Sequence, residues 1–185
     1  MIDSTPGSIL WGTRHRSEQP HSGCTDPILI SELEEIMDIR FRDTQLANAP
    51  AETLFEVITD YAHYPRFNPA VVEVTVVTSS NNEVEFTARR KTWILKDARA
   101  RDRYERGQDF VIERTYPDSP GSRSTWTIHP VDASNCALTI DGSMPLPFLK
   151  GVIMRPLLKR IFYGINFKPF IEEAERRARD RKVAH

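Results

Sequence analysis

Apolar and polar positions alternate first with a strand period, then with a helix period, and then return to strands. In "DIRFRDTQL", Ile39 and Phe41 alternate with Arg40 and Arg42, the mark of a half-buried strand. "NAPAETLFEVITD" changes to a helical repeat: Pro50 opens it, Glu52 lies in the first turn, and Leu54, Phe55 and Ile58 share one face. This helix cannot run past His63, because Pro65 disfavours helical geometry in the residue before it. Six strand-like stretches follow: Val71 to Val77, the Val84–Phe86–Ala88 alternation, "TWILKDARARDRYE", "FVIERTY", "RSTWTIHPV" and "CALTIDGSM". The turn-rich strings "SSNNE", "RGQD", "PDSPGS" and "DASN" separate most of them, as in an antiparallel meander.

After "MPLP" the period is helical again. Leu149, Ile153, Leu157, Ile161 and Ile165, with Val152, Leu158 and Phe162, form a wide apolar stripe that Phe170, Ile171 and Ala174 extend. Pro156 and Pro169 predict kinks. The end "EEAERRARDRK" reads as a solvated, salt-bridged helix terminus. Upstream, residues 1–25 have no period. Asp26-Pro27 then suits a helix start, and "PILISELEEIMD" predicts a short helix to about Asp38, in competition with a strand beginning near Met37. The division expected is an extension over 1–35, mostly irregular, and one domain over 36–182.

Composition narrows the function. A net charge of −1 in 185 residues offers no basic footprint for nucleic acid. No run of 18 apolar residues occurs, so no transmembrane segment is expected, and the first twenty residues lack the apolar core of a secretory signal. Two cysteines, Cys24 and Cys136, read as free thiols in a cytoplasmic protein. No cysteine or histidine pair has zinc spacing, and no phosphate-binding or nucleophile motif is present, so no metal and no cofactor are expected. Oligomeric state is not signalled, and a homodimer stays open.

The elements predict an α+β fold: a curved antiparallel sheet wrapped around a long C-terminal helix, with two short helices after the first strand. Side chains cannot fill all the space between such a sheet and helix, so a pocket follows. Three strings, "APAETLFEVITDYAHYPRFNPAVVEV", "STWTIHPVDASNCALTID" and "LPFLKGVIMRPLLKRIF…FIEEAERRA", resemble the helix-grip superfamily, which includes START domains, Bet v 1-like proteins, coenzyme-Q-binding proteins and polyketide aromatase/cyclases. The resemblance covers about residues 38 to 180. It implies a small hydrophobic ligand and short helices across the pocket mouth.

On that reading Tyr61, Tyr64 and Phe67 are rim aromatics, or else residues that pack a turn. Phe86, Trp93, Trp126, Ile161, Phe162 and Ile165 would line the wall. Tyr104, Tyr163 and Asn166 could place polar tips inside it. The aromatase/cyclases carry a Ser and an Arg on a Trp-containing strand, and those positions align here with Leu95 and Asp97, which do not match. Asp97 has two readings. Facing an apolar cavity, it would be a general acid or base. Facing solvent beside Arg99, Arg101 and Arg103, it would be an ordinary surface carboxylate. Two functions follow: a module that binds a lipid, quinone or polyketide-like molecule, and a cyclase or dehydratase using the same cavity. A third is an interaction protein whose N-terminal segment covers the pocket.

Overall fold

The computed structural model describes residues 36–91, 97–147, 164 and 167–183. β1 (Ile36–Ala47) leads into α1 (Ala51–Thr59), a 3₁₀ turn (Tyr61–His63) and α2 (Tyr64–Phe67). Six strands follow: β2 (Val71–Ser79), β3 (Glu83–Arg90), β4 (Ala98–Arg106), β5 (Phe110–Thr115), β6 (Arg123–Pro130) and β7 (Cys136–Pro147). The last described element is α3 (Lys168–Val183). All seven strands form one antiparallel sheet in the order β1-β7-β6-β5-β4-β3-β2. Of the two readings at residue 37, the strand prevails, and it begins at Ile36. The rest of the helix expected from Asp26 lies outside the described residues.

α2 ends at Phe67, because Asn68, before Pro69, is extended. α1 stops already at Thr59, and Tyr64, expected to avoid helical geometry before Pro65, is helical (φ −48°, ψ −44°) and opens α2. Pro65 sits in the first turn of α2, where its missing N–H is no loss. The Tyr64 hydroxyl donates to the Ile58 carbonyl, satisfying one of the acceptors left open at the end of α1. Asn68 Oδ1 accepts the Ala70 N–H at 3.1 Å and turns the chain into β2. Pro169 is the second residue of α3, and the described residues just before it, Gly164 and Phe167, have π-helical geometry. Pro156, where the other kink was expected, is outside the described residues.

The strand period sorts side chains to two faces. Val84, Phe86, Ala100, Ile112, Trp126, Ile128, Leu138 and Ile140 are buried on the concave face under Leu54, Phe55, Ile58 and Phe170. On the convex face Glu85 accepts hydrogen bonds from Arg99 and Arg101 of the neighbouring strand. The charged end of α3 carries the expected pairs within the helix, Glu173 with Arg176 and Arg177 and Arg176 with Asp180. It also docks on α1: Arg177 pairs with Asp60 at 2.7 Å and Arg181 with Glu56. Among the described residues no helix is long and apolar enough to cross a membrane.

Candidate functional site

The concave face has an ionic group in the middle of its apolar wall. On β4, "ARARDRYER" alternates strictly: Arg99, Arg101 and Arg103 point outward, while Ala100, Asp102 and Tyr104 lie on the inner side. On β5 the inner positions are Phe110, Ile112 and Arg114. Register pairs Asp102 directly with Arg114, and Arg114 with Ser124 on β6. The guanidinium grips the carboxylate with two bonds, Nε to Oδ1 and Nη2 to Oδ2, each 2.7 Å. Asp102 is fully buried and Arg114 is 7% exposed.

Aromatic rings close the group in. The Arg114 guanidinium lies 4.6 Å from the centre of the Trp126 ring and 5.3 Å from that of Phe86. The Trp126 indole N–H donates to Ser124 Oγ at 3.0 Å, so that ring leaves no buried donor unpaired. The Tyr61 hydroxyl donates to Asp102 Oδ2 at 2.7 Å and meets the Tyr104 hydroxyl at 2.6 Å. Burial opposes the Arg114 charge, but the adjacent Asp102 carboxylate more than offsets this and holds the guanidinium above its ordinary range. Burial, with Asp102 nearby, pushes the Tyr61 and Tyr64 hydroxyls far up. Tyr104 is pushed up to about 12, mainly by burial. All three phenols therefore keep their protons at neutral pH.

A cleft of about 230 Å³ opens beside this group. Phe55, Tyr61, Val76, Val84 and Tyr104 wall it, and Arg106 and the Ser79–Asn81 turn form its exposed rim. Arg106 lies over the Phe55 ring at 4.6 Å. A second groove, of about 360 Å³, is bordered by Glu73, Thr87, Arg89, Asp97, Arg99 and Asp118.

Asp97 takes the solvent-facing orientation. It is exposed, and Oδ1 accepts the Arg90 backbone N–H at 3.0 Å. Strand parity is the reason: Asp97 is in phase with Arg99, Arg101 and Arg103, and the inward carboxylate is Asp102. Tyr64 is a core residue, 3% exposed, while Phe67 is half-buried and stacks edge-on against Phe170. Phe86, Tyr104 and Trp126 all meet the ionic group or the cleft. Trp93, Ile161, Phe162, Tyr163, Ile165 and Asn166 lie outside the described residues. His129 is exposed and paired with Asp109, and His63 bonds Asp60 at 2.6 Å. Cys136 is a buried free thiol, pushed up to about 11 mainly by burial. Among the described residues no cluster of His, Cys, Asp or Glu could hold a metal.

Asp102, Arg114 and Arg106 were missed by sequence reasoning. The usable signal was the strict alternation in "ARARDRYER" and "FVIERTY", which puts Asp102 and Arg106 in phase with Ala100 and Tyr104 on β4, and Arg114 in phase with Phe110 and Ile112 on β5.

Known proteins provide the context. Residues 38–171 match the family described as polyketide cyclase/dehydrase and lipid transport. No curated protein matches the chain. Among solved structures, the ZhuI aromatase/cyclase from Streptomyces sp. R1128 superposes with a TM-score of 0.65 at 15% identity, over 76% of this chain and 96% of that one. A STAR-related lipid transfer protein fragment from Xanthomonas axonopodis gives 0.54 at 18% identity, over 73% and 85%. Norcoclaurine synthase from Thalictrum flavum gives 0.59 at 10% identity, over 80% and 98%. These identities carry the fold alone. The family match spans most of the domain and agrees with that fold, so the chain belongs to the polyketide cyclase/dehydrase and lipid-transport family of the helix-grip superfamily.

Proposed function

We propose that the chain is a cytoplasmic binding module for a small hydrophobic or amphipathic molecule, held between the concave face and the helices that cover it. The observation that carries this reading is the Asp102–Arg114–Tyr61–Tyr104 group, set in an apolar wall beside a cleft. A buried ion pair is seldom the most stable filling for a core, so its presence calls for another role. Perturbed ionisable groups bordering a cleft are a common mark of a binding or catalytic site. Phe86, Trp126 and Tyr104 are the described side chains proposed to shape the ligand's surroundings. Recognition of nucleic acid is no part of this reading.

The enzyme alternative, a cyclase or dehydratase, draws on the family's description and on the unbroken hydroxyl chain from Tyr104 to Asp102. Binding is preferred because those phenols are held protonated and the carboxylate is clamped by Arg114, which leaves no poised base there. Native mass spectrometry of protein purified from its own host tests the reading. A co-purifying small organic molecule is expected. Protein that emerges empty, and binds no fatty acid, quinone or aryl probe, would refute it. In the same assays Asp97→Asn should leave ligand affinity unchanged, since Asp97 is turned to solvent.

A further inference from the structure

The hydrogen bonds in the ionic group have a direction, and the direction fixes what the cleft can recognise. Tyr61 has one hydroxyl proton, and it goes to Asp102 Oδ2. The 2.6 Å contact between the Tyr61 and Tyr104 hydroxyls must therefore use the Tyr104 proton. The chain runs one way, from Tyr104 to Tyr61 to Asp102. Tyr104 retains its proton at neutral pH, with its hydroxyl pushed up to about 12 mainly by burial, so the order persists there.

Tyr104 is left with an oxygen that has lone pairs and no proton to offer, and Tyr104 lines the cleft. Such an oxygen accepts and cannot donate. Its lone pairs are strengthened because its own proton is drawn down a chain that ends on a carboxylate. Arg106 borders the same cleft, with no carboxylate partner among the described residues. A cation near a bound hydroxyl makes that hydroxyl a better donor. Of the remaining lining, Phe55, Val76 and Val84 are apolar and suit a ring, while Thr59 and the Ser79–Asn81 turn are polar. At about 230 Å³ the cleft has room for a one- or two-ring group.

We propose that this cleft recognises a neutral ring hydroxyl, phenolic or enolic, which donates its proton to the Tyr104 oxygen. The inference deepens the binding reading and rests on it. It names the chemical group taken and the atom that takes it. An aryl ether of the same shape has no proton to give and leaves Tyr104 without its partner.

Calorimetric titration of the full chain with 2-naphthol and with 2-methoxynaphthalene tests it. The naphthol should bind roughly tenfold more tightly, the upper range for one neutral hydrogen bond. Tyr104→Phe should bring the two affinities together while both probes still bind. Tyr61 keeps its own bond to Asp102 in that variant, and the comparison on the unmodified protein needs no variant at all. Equal affinities in the unmodified protein, or a preference that survives Tyr104→Phe, would overturn this inference and leave the binding reading intact. Binding of neither probe would overturn this inference; if fatty acids, quinones and other aryl compounds also failed to bind, the broader reading would fall with it.

Discussion

Asp102 and Arg114 set the sharpest test at the scale of a single residue. Removing one partner of a buried pair leaves the other charged and unpaired, and Arg114→Met or Asp102→Leu should each cost about 3–5 kcal/mol. Replacing both, Asp102→Leu with Arg114→Met, should cost clearly less than the sum and approach the native stability. Urea denaturation of the three variants checks this, and additive losses would show that the two groups do not act as a pair. Gly142 gives a second test. It lies opposite Phe41 in the β1–β7 register, and a Cβ there would fall under 3.0 Å from three carbons of the Phe41 ring. Gly142→Ala should destabilise by about 1–3 kcal/mol through overpacking. Trimming the ring in Gly142→Ala/Phe41→Leu should recover part of that loss in a thermal melt.

Between elements, the decisive contacts join α1 to α3. Burial alone would raise the Asp60 carboxyl, but hydrogen bonds from Arg177 and His63 outweigh it and hold the group below its ordinary value. The hydrogen bond from Arg176, with that from Arg177, holds Glu173 low as well. A carboxyl depressed in the folded state stabilises it fully above its unfolded pKa, about 4, and that stability is lost as pH falls through the folded value. The denaturation midpoint should stay level from neutral pH to about 5 and decline below about 4.5. In Arg177→Gln the neutral-pH midpoint should drop and the acid decline should be shallower. An unchanged acid limb would show that the α1–α3 pairs contribute nothing. The exposed charges of α3 were legible as a salt-bridged helix end. Their reach to Asp60 and Glu56 was not, because strings 117 and 125 residues apart give no sign of meeting. Strand faces were more legible than the site. Alternation in β3 and β6 put Phe86 and Trp126 inside, and the same alternation in β4, read through to its end, excludes Asp97 and selects Asp102.

Across the whole molecule, the sheet, its strand count and the covering helices followed from periodicity and turn chemistry, which act over a few residues. The strand order did not, because no local pattern says that the first strand must lie beside the last. β1 pairs with β7 through twelve consecutive residues, Ile36 with Pro147 to Ala47 with Cys136. This ladder has a consequence for biosynthesis. A chain emerging from a ribosome can form β2 to β6 as successive hairpins, but β1 has no partner until residue 147 is out. During that interval both β1 and β6 present unpaired backbone edges, the surfaces on which nascent chains associate wrongly and chaperones bind. Closing so long a loop also slows the step itself. Stalled nascent chains of increasing length should therefore leave residues 36–47 open to protease until β7 has been released, and protection should then arrive in one step. Protection at shorter lengths would mean that β1 first pairs elsewhere and must exchange partners before the sheet is complete.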